Sequence, residues 1–252
     1  MRFASLGSGS RGNATLVEAD GTRVLVDCGF SLSETRARLA RLEVEPESIA
    51  AILVTHEHTD HASGVARVAA RFGIPVWCTA GTLSACVRHG IEFAELFNPH
   101  DVFSIGGLEI TPVAVPHDAR EPSQFIFSDG DCRFGVLTDT GHITPHIARV
   151  FDGCEALLLE CNHDAGRLLD GPYPPSLKAR VGGPLGHLSN EQAAGLLAML
   201  DLGRLQHLVA AHLSDKNNTP ALAQAALAAA ADCEPDWIAV ADQNEGLDWR
   251  SV

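Results

Sequence analysis

The stretch THEHTDH, residues 55–61, sets four candidate metal ligands within seven positions, directly after an apolar run. The four are His56, His58, Asp60 and His61. Imidazoles and carboxylates that are crowded together lose hydration, and protonated imidazoles repel one another. A bound cation turns that repulsion into attraction. A lone histidine is usually structural, but four ligands in the order HxHxDH predict a metal site.

Further candidate ligands follow other apolar runs. Asp27 follows RVLV, His117 follows ITPVAVP, Asp139 follows RFGVLT, and His212 follows HLVAA. Each one alone is also typical of a turn-forming aspartate or of a solvated histidine at the end of a strand. Together with THEHTDH they form a set whose chemistry suits more than one cation.

The composition describes a chain with a substantial core and an acidic surface. Its 252 residues are 46% hydrophobic, and one domain is the simplest description. The formal net charge of −14 argues against binding nucleic acid through the surface field, so a polyanionic substrate would need a local patch and metal. Seven cysteines without a CxxC pair argue against a disulfide framework. Because no apolar run is long enough to span a membrane and the start lacks a secretory signal, we expect a cytoplasmic protein without membrane contact.

Short apolar runs alternate with amphipathic segments along the chain. The runs RVLVDCG, AAILVTH, RFGVLTD, EALLLE and HLVAAH predict buried strands that end in polar side chains. Helices are predicted over 61–73, 189–200 and 219–233 from their apolar faces and capping residues. This alternation indicates an α/β layered protein. The Gly- and Pro-rich segment 166–186 is predicted to be a long loop over the site, with a plain surface loop as the alternative.

In their order along the chain, the candidate ligands resemble those of the metallo-β-lactamase fold superfamily, and the resemblance covers essentially the whole chain. Five further sequence motifs resemble those of the YycJ/WalJ-like branch. Members of this branch are described as DNA exonucleases and are related to ribonuclease Z and other phosphodiesterases. The five motifs are GSGSRGN (7–13), ECNHD (160–164), YPPSLKAR (173–180), GHLSN (186–190) and AHLSDKNN (211–218). The resemblance implies one hydrolase domain over residues 1–252, folded as an αββα four-layer sandwich with the site at one edge.

The same resemblance implies a role for each candidate ligand. Two divalent cations are expected as cofactors, and imidazole and carboxylate ligands without thiolate suit Zn²⁺ or Mn²⁺. The first cation is assigned to His56, His58 and His117, the second to Asp60, His61 and His212, and Asp139 is expected to bridge the two. Asp27 is expected to support the histidine loop from behind.

The resemblance also implies a phosphodiesterase mechanism. In that mechanism a hydroxide shared by the two cations would attack phosphorus, and Asp60 is expected to orient it. His187 is expected to protonate the leaving oxygen as a general acid; the alternative is that it only caps its helix or contacts phosphate. His187 and His212 compete for the last ligand position. His212 follows a strand, as the final ligand does in ribonuclease Z-like enzymes, whereas His187 precedes a helix.

The candidate substrate-binding residues are polar groups within the same motifs. They are Ser8, Ser10, Asn13, Asn162, His163, Lys178 and Arg180. The GSGSRGN loop is able to direct backbone N–H groups at a phosphate, although an ordinary turn explains it equally well. Lysine and arginine are more often solvated surface charges. Four other histidines show no partner pattern and are interpreted as structural: His89, His100, His146 and His207.

The predicted function is therefore a dinuclear-metal exonuclease that acts on DNA, or RNA, ends and holds them locally despite its acidic charge. Whether it works as a homodimer is left open. Two other enzyme classes fit the same ligand set, a thioester hydrolase of the glyoxalase II type and a small cyclic-nucleotide phosphodiesterase. A non-catalytic scaffold of the same fold is disfavoured, because every expected ligand is present.

Overall fold

The computed structural model describes all 252 residues and is built from two seven-stranded sheets flanked by helices. The strands are β1 (Arg2–Gly7), β2 (Ala14–Ala19), β3 (Thr22–Val26), β4 (Ala51–Leu53), β5 (Val76–Cys78), β6 (Glu95–Leu96), β7 (Phe103–Ile105), β8 (Leu108–Ala114), β9 (Ser123–Ser128), β10 (Arg133–Leu137), β11 (Ala156–Glu160), β12 (His207–Ala211), β13 (Ala239–Val240) and β14 (Leu247–Ser251). The helices are α1 (Leu32–Arg41), α2 (Thr59–Ala62), α3 (Val65–Phe72), α4 (Ala80–Cys86), α5 (Pro145–Phe151), α6 (Ala165–Asp170), α7 (Pro175–Val181), α8 (Asn190–Leu197) and α9 (Pro220–Ala231).

The two sheets pack face to face, and helices cover their outer faces. The strand orders are β14-β1-β2-β3-β4-β5-β6 and β13-β12-β11-β10-β9-β8-β7. Side chains alternate as strand geometry requires: Val24 and Val26 of β3 face the opposite sheet, while Leu25 packs in the same cluster as α1 and α3. Phe3 of the first sheet stacks on Phe134 of the second, with ring centroids 4.0 Å apart. The predicted αββα sandwich is confirmed.

Parallel pairing brings the candidate ligands to one edge of this sandwich. β3 pairs in parallel with β4, and β10, β11 and β12 pair in parallel with one another. Parallel neighbours have their carboxyl ends at the same edge of a sheet. The residues that directly follow these strands are therefore neighbours in space although they are far apart in sequence.

Two predicted segments differ from the structure. The helix expected over 61–73 is broken into α2 and α3 at Gly64, where an added Cβ would lie 2.0 Å from the carbonyl oxygen of Phe30. The prediction of a long loop over 166–186 is wrong, because most of α6 and all of α7 lie within this segment. Pro175 occupies the first position of α7, where a missing N–H costs no hydrogen bond. The prolines therefore start a helix instead of excluding one.

No helix in the structure has both the length and the apolar character that a bilayer crossing requires.

Candidate metal centre

The histidine loop, residues 54–61, follows β4 and includes the start of α2, and one buried carboxylate holds it from behind. Asp27 Oδ1 accepts the backbone N–H of Thr55 at 2.8 Å, and its Oδ2 accepts the Thr55 hydroxyl at 2.7 Å. The same Oδ2 lies 2.7 Å from Nδ1 of His61. Since a carboxylate only accepts, Nδ1 of His61 is the donor in this contact, and Nε2 is the ring nitrogen that faces the site.

Three further imidazoles are also oriented by a hydrogen bond at Nδ1. Nδ1 of His117 lies 3.0 Å from the carbonyl oxygen of Gly186, and Nδ1 of His212 lies 2.9 Å from Glu160 Oε1. Nδ1 of His56 lies 2.9 Å from the hydroxyl of Thr55, whose proton is already donated to Asp27. Each Nδ1 is therefore a donor, and each Nε2 is left to face the site.

The ligand atoms of all seven predicted metal ligands converge. His58 is turned the other way, with its Nδ1 3.2 Å from Nε2 of His117. His56, His58 and His117 form one group of donor atoms within 4.8 Å of one another, and Asp60, His61 and His212 form a second. Asp139 lies between them, with Oδ2 3.2 Å from Nε2 of His61 and Oδ1 3.7 Å from Nε2 of His117.

The centre has the electrostatics of a cation site. Nε2 of His56, Nε2 of His212 and Oδ2 of Asp139 are buried without a hydrogen-bond partner. Burial alone lowers the pKa of His212, but the Asp139, Asp60 and Glu160 carboxylates outweigh it and raise that pKa to about 10. The pocket thus favours positive charge and contains buried polar atoms that have no partner within the protein. Its residues fit divalent cations, which imidazole and carboxylate ligands prefer.

Three residues of the centre have an unusual backbone. Asp27, Asp139 and His212 each follow a strand and have φ values of 60°, 54° and 56°. Non-glycine residues seldom adopt this left-handed region, and such strain is concentrated at functional sites. The left-handed turn ends each strand and sets the direction in which its side chain leaves the sheet edge.

His187 and His212 are joined by a residue that the sequence analysis missed. Glu160, at the end of β11, is fully buried, and its Oε1 lies 2.9 Å from Nδ1 of both histidines. Its Oε2 accepts the backbone N–H groups of Thr140 and Leu188 at 3.1 Å. Burial raises the pKa of Glu160, but His187 and His212 more than offset this and hold it at about 2. Glu160 also ends an apolar run, so the strand-end pattern that indicated the other ligands was available for it.

A cavity of about 570 Å³ opens beside the candidate metal ligands. Of the predicted substrate-binding residues, Ser10, Asn162 and Arg180 line it. Ser8, Asn13 and His163 are buried and do not line it; the Ser8 hydroxyl accepts the backbone N–H of His212 at 2.9 Å. Lys178 also lies off the cavity and donates to the carbonyl oxygen of Leu169 at 2.5 Å.

The GSGSRGN loop does not present a row of free N–H groups. Gly9 donates to the side chain of Asn13 at 2.8 Å, and Arg11 donates to the side chain of Gln243 at 2.7 Å. The N–H groups of Ser8, Gly12 and Asn13 donate to other backbone carbonyls. These bonds close the loop on itself and join it to the C-terminal turn and to the histidine loop, so these five donors are not free to receive a phosphate.

Several residues that line the cavity were not predicted. Arg88 and His89 lie in the turn after α4, where Arg88 Nη2 and His89 Nε2 lie 2.8 and 2.9 Å from the carbonyl oxygen of Glu57. His89, interpreted from the sequence as structural, therefore borders the cleft. Asp118 also lines it, with Oδ2 2.6 Å from Nε of Arg180. Their positions depend on tertiary contacts that no local pattern signals.

Comparison with known proteins agrees with this geometry. The family model described as the beta-lactamase superfamily domain matches residues 22–212. Exodeoxyribonuclease YycJ of Bacillus anthracis is 35% identical over 229 residues, which cover 89% of this chain and 86% of that protein. Exodeoxyribonuclease WalJ of Streptococcus pneumoniae is 31% identical over 256 residues, with 99% and 93% covered. The crystal structure of the metallo-beta-lactamase fold protein YhfI from Bacillus subtilis superposes with a TM-score of 0.76 at 14% identity, covering 99% of both chains, which shows the shared fold. The chain therefore belongs to the beta-lactamase superfamily, in the branch that contains YycJ and WalJ.

Proposed function

We propose that this protein is a divalent-metal phosphodiesterase that removes nucleotides from the ends of DNA strands. One observation supports this most directly: a cluster of seven imidazole and carboxylate ligands shares a cavity with a histidine that is paired to a buried glutamate. Relatives named as exodeoxyribonucleases, matched over most of the chain, point to the same reaction.

In this proposal the whole chain acts as one hydrolase domain that holds two cations, Zn²⁺ or Mn²⁺. His56, His58 and His117 would hold the first, Asp60, His61 and His212 would hold the second, and Asp139 would be shared. When bound, such a pair lowers the pKa of water towards neutrality and offsets charge on phosphoryl oxygens. Asp27 and Glu160 keep His61 and His212 in the tautomer that leaves Nε2 free for a ligand bond.

His187 is proposed to protonate the leaving sugar oxygen. Its Nδ1 is bound to Glu160, which leaves Nε2 as the ring nitrogen available to the cavity. Burial lowers the pKa of His187, but the charge and hydrogen bond of Glu160 raise it above the ordinary value of a histidine. This shift favours the imidazolium form that a general acid requires, and general-acid catalysis contributes about 10²–10⁴-fold in rate.

Asp60 is proposed to orient the attacking water. Its carboxylate lines the cavity, with Oδ2 3.5 Å from Nε2 of His212 and 3.6 Å from Nε2 of His61. The groups proposed to handle protons, Asp60 and His187, thus border one cavity. A phosphodiester seated between them would meet a water-orienting carboxylate and a proton donor together.

The cavity suits the end of a single strand. Its volume of about 570 Å³ lies within the range of small-molecule pockets and is too small for a duplex. The net charge of −14 repels long polyanions, so the local cations Arg88 and Arg180 are the groups best placed to receive phosphates. We therefore propose that the enzyme accepts a separated strand end and not the body of a duplex.

The test compares phosphodiester and thioester substrates. Protein loaded with Zn²⁺ or Mn²⁺ is incubated with end-labelled single-stranded DNA, duplex DNA and RNA, and separately with S-lactoylglutathione. We expect stepwise shortening of single-stranded DNA and no thioester turnover. Turnover of the thioester alone would replace the proposal with a glyoxalase II-type activity. Shortening of RNA alone would show that the substrate is RNA and not DNA.

A further inference from the structure

The cavity beside the metal ligands has one apolar wall. Three of its lining residues, Tyr173, Leu177 and Val181, are hydrophobic, and the others are polar, charged or glycine. They are spaced four residues apart, so they fall on one side of α7 and of the turn that leads into it. The cavity is therefore divided into a polar floor and a continuous apolar side.

This apolar side is not part of the hydrophobic core. No residue of α7 is buried, and none belongs to the core clusters of the fold. Polar contacts hold the helix: Lys178 donates to the Leu169 carbonyl oxygen, and Arg180 Nε lies 2.6 Å from Asp118 Oδ2. Val181 contributes through its carbonyl oxygen, which accepts the backbone N–H of His187 at 2.9 Å. The apolar side chains thus remain available to a molecule in the cavity.

Tyr173 stands out within this wall. It is the only tyrosine in the chain, it is half-buried, and Pro174 and Pro175 follow it directly. Proline restricts its own backbone and that of the residue before it, so the backbone that carries the ring has few conformations. A tyrosine side chain has only two χ angles, so it loses little conformational entropy when a second planar group stacks on it.

We infer that Tyr173, with Leu177 and Val181, forms the binding face for the base of the terminal nucleotide. This inference rests on the proposed function, because it concerns the same cavity and substrate. A nucleotide has a flat base and an anionic phosphate, and the same cavity offers both an apolar face and a candidate cation site. Every base has a stackable face, so such a wall accepts strand ends of any sequence. It requires that the terminal base be unpaired.

The experiment uses full-length, metal-loaded protein and single-stranded oligonucleotides that differ only at the terminal residue. One carries an intact terminal base and the other a terminal abasic nucleotide. The variants are Tyr173→Ala and Tyr173→Phe, with Leu169→Ala as the matched control, since Leu169 is 73% exposed and does not line the cavity. Thermal unfolding and metal content are measured for each.

Stacking of a base on an aromatic ring is worth about 5- to 150-fold in affinity. We expect Tyr173→Ala to raise KM on the intact end by this factor while kcat changes little, and Tyr173→Phe to stay within about threefold of the unaltered protein. On the abasic end the unaltered protein and Tyr173→Ala should be equal. The inference would be overturned if Tyr173→Ala left KM on the intact end unchanged, or if it raised KM on the abasic end as much as on the intact end. Either result would leave the phosphodiesterase proposal standing.

A second measurement needs no variant. The unaltered protein should be inhibited about 5- to 150-fold more strongly by deoxyadenosine monophosphate than by deoxyribose phosphate, each tested with the phosphate on the 5′ and on the 3′ oxygen. Equal inhibition would overturn the base-binding face and leave the phosphodiesterase proposal standing. If the unaltered protein releases no nucleotide from either oligonucleotide with any metal, the proposed function and this inference fail together.

Discussion

Replacing Glu160 with glutamine probes the link between the buried carboxylate and the proposed general acid. Glu160 accepts four hydrogen bonds, from Nδ1 of His187 and His212 and from the N–H groups of Thr140 and Leu188. Glutamine keeps the size of the side chain but has only one oxygen. Its amide nitrogen must then face either the two backbone N–H groups or the two imidazoles.

Both arrangements have a definite cost. If the amide faces Thr140 and Leu188, each orphaned N–H costs about 1–3 kcal/mol of stability. If it faces the imidazoles, Nδ1 of His187 can accept only when the ring is neutral, so the imidazolium is lost. In either case the carboxylate that raises the pKa of His187 is gone. We expect kcat to fall by about 10²–10⁴-fold.

The other end of the same strand supplies a control. Glu155 directly precedes β11, is 2% exposed, accepts the N–H of Arg133 at 2.7 Å and pairs with Arg204. Glu155→Gln should lower stability by a comparable amount and leave turnover unchanged. The assay follows release of labelled nucleotides, with metal content and thermal unfolding measured in parallel. If Glu160→Gln retains metal and stays within about threefold of Glu155→Gln in kcat, the proposed role of the Glu160–His187 pair is refuted.

Two further predictions concern the metal centre. His187→Ala should keep its bound metal and lose about 10²–10⁴-fold in turnover, whereas His212→Ala should lose metal from the second group. Elemental analysis measures the bound metal and kinetics measures the turnover of both variants. The reverse pattern would show that the two histidines have each other's role. Gly29→Ala should destabilise the protein by about 1–3 kcal/mol or more and weaken metal binding, because its Cβ would lie 1.8 Å from the carbonyl oxygen of Asp60. Denaturant unfolding with metal titration measures the effect, and a Gly29→Ala protein with unchanged stability and affinity would contradict it. Gly195→Ala, whose Cβ meets nothing within 4 Å, is the control for an added Cβ without a clash.

The strand-end ligands were predictable because a single rule links sequence to position. Asp27, Asp139 and His212 each follow an apolar run, and parallel strands end at one edge, so local patterns already implied proximity. The division between first and second metal group came from the family resemblance and not from spacing. Glu160 obeys the same rule, but nothing local distinguishes a carboxylate that orients histidines from one that forms a turn.

The remaining features depend on contacts between distant parts of the chain. The GSGSRGN loop has the composition of an anion-binding turn, yet the side chain of Gln243, more than 230 residues away, takes one of its N–H groups. The segment 166–186 has the composition of a loop, yet its prolines begin a helix. Arg88 and His89 reach the cleft only because the turn after α4 packs on the carbonyl oxygen of Glu57.

Titration with metal tests most directly whether the seven converging side chains hold a pair of divalent cations, as we propose, and whether nuclease activity depends on that pair. Metal-free protein is titrated with Zn²⁺ or Mn²⁺ while bound metal and shortening of single-stranded DNA are followed in the same samples. We expect two equivalents to bind per chain and shortening to appear as the second equivalent binds. Fewer than one ion bound per chain after loading, or full occupancy without any shortening, would contradict it.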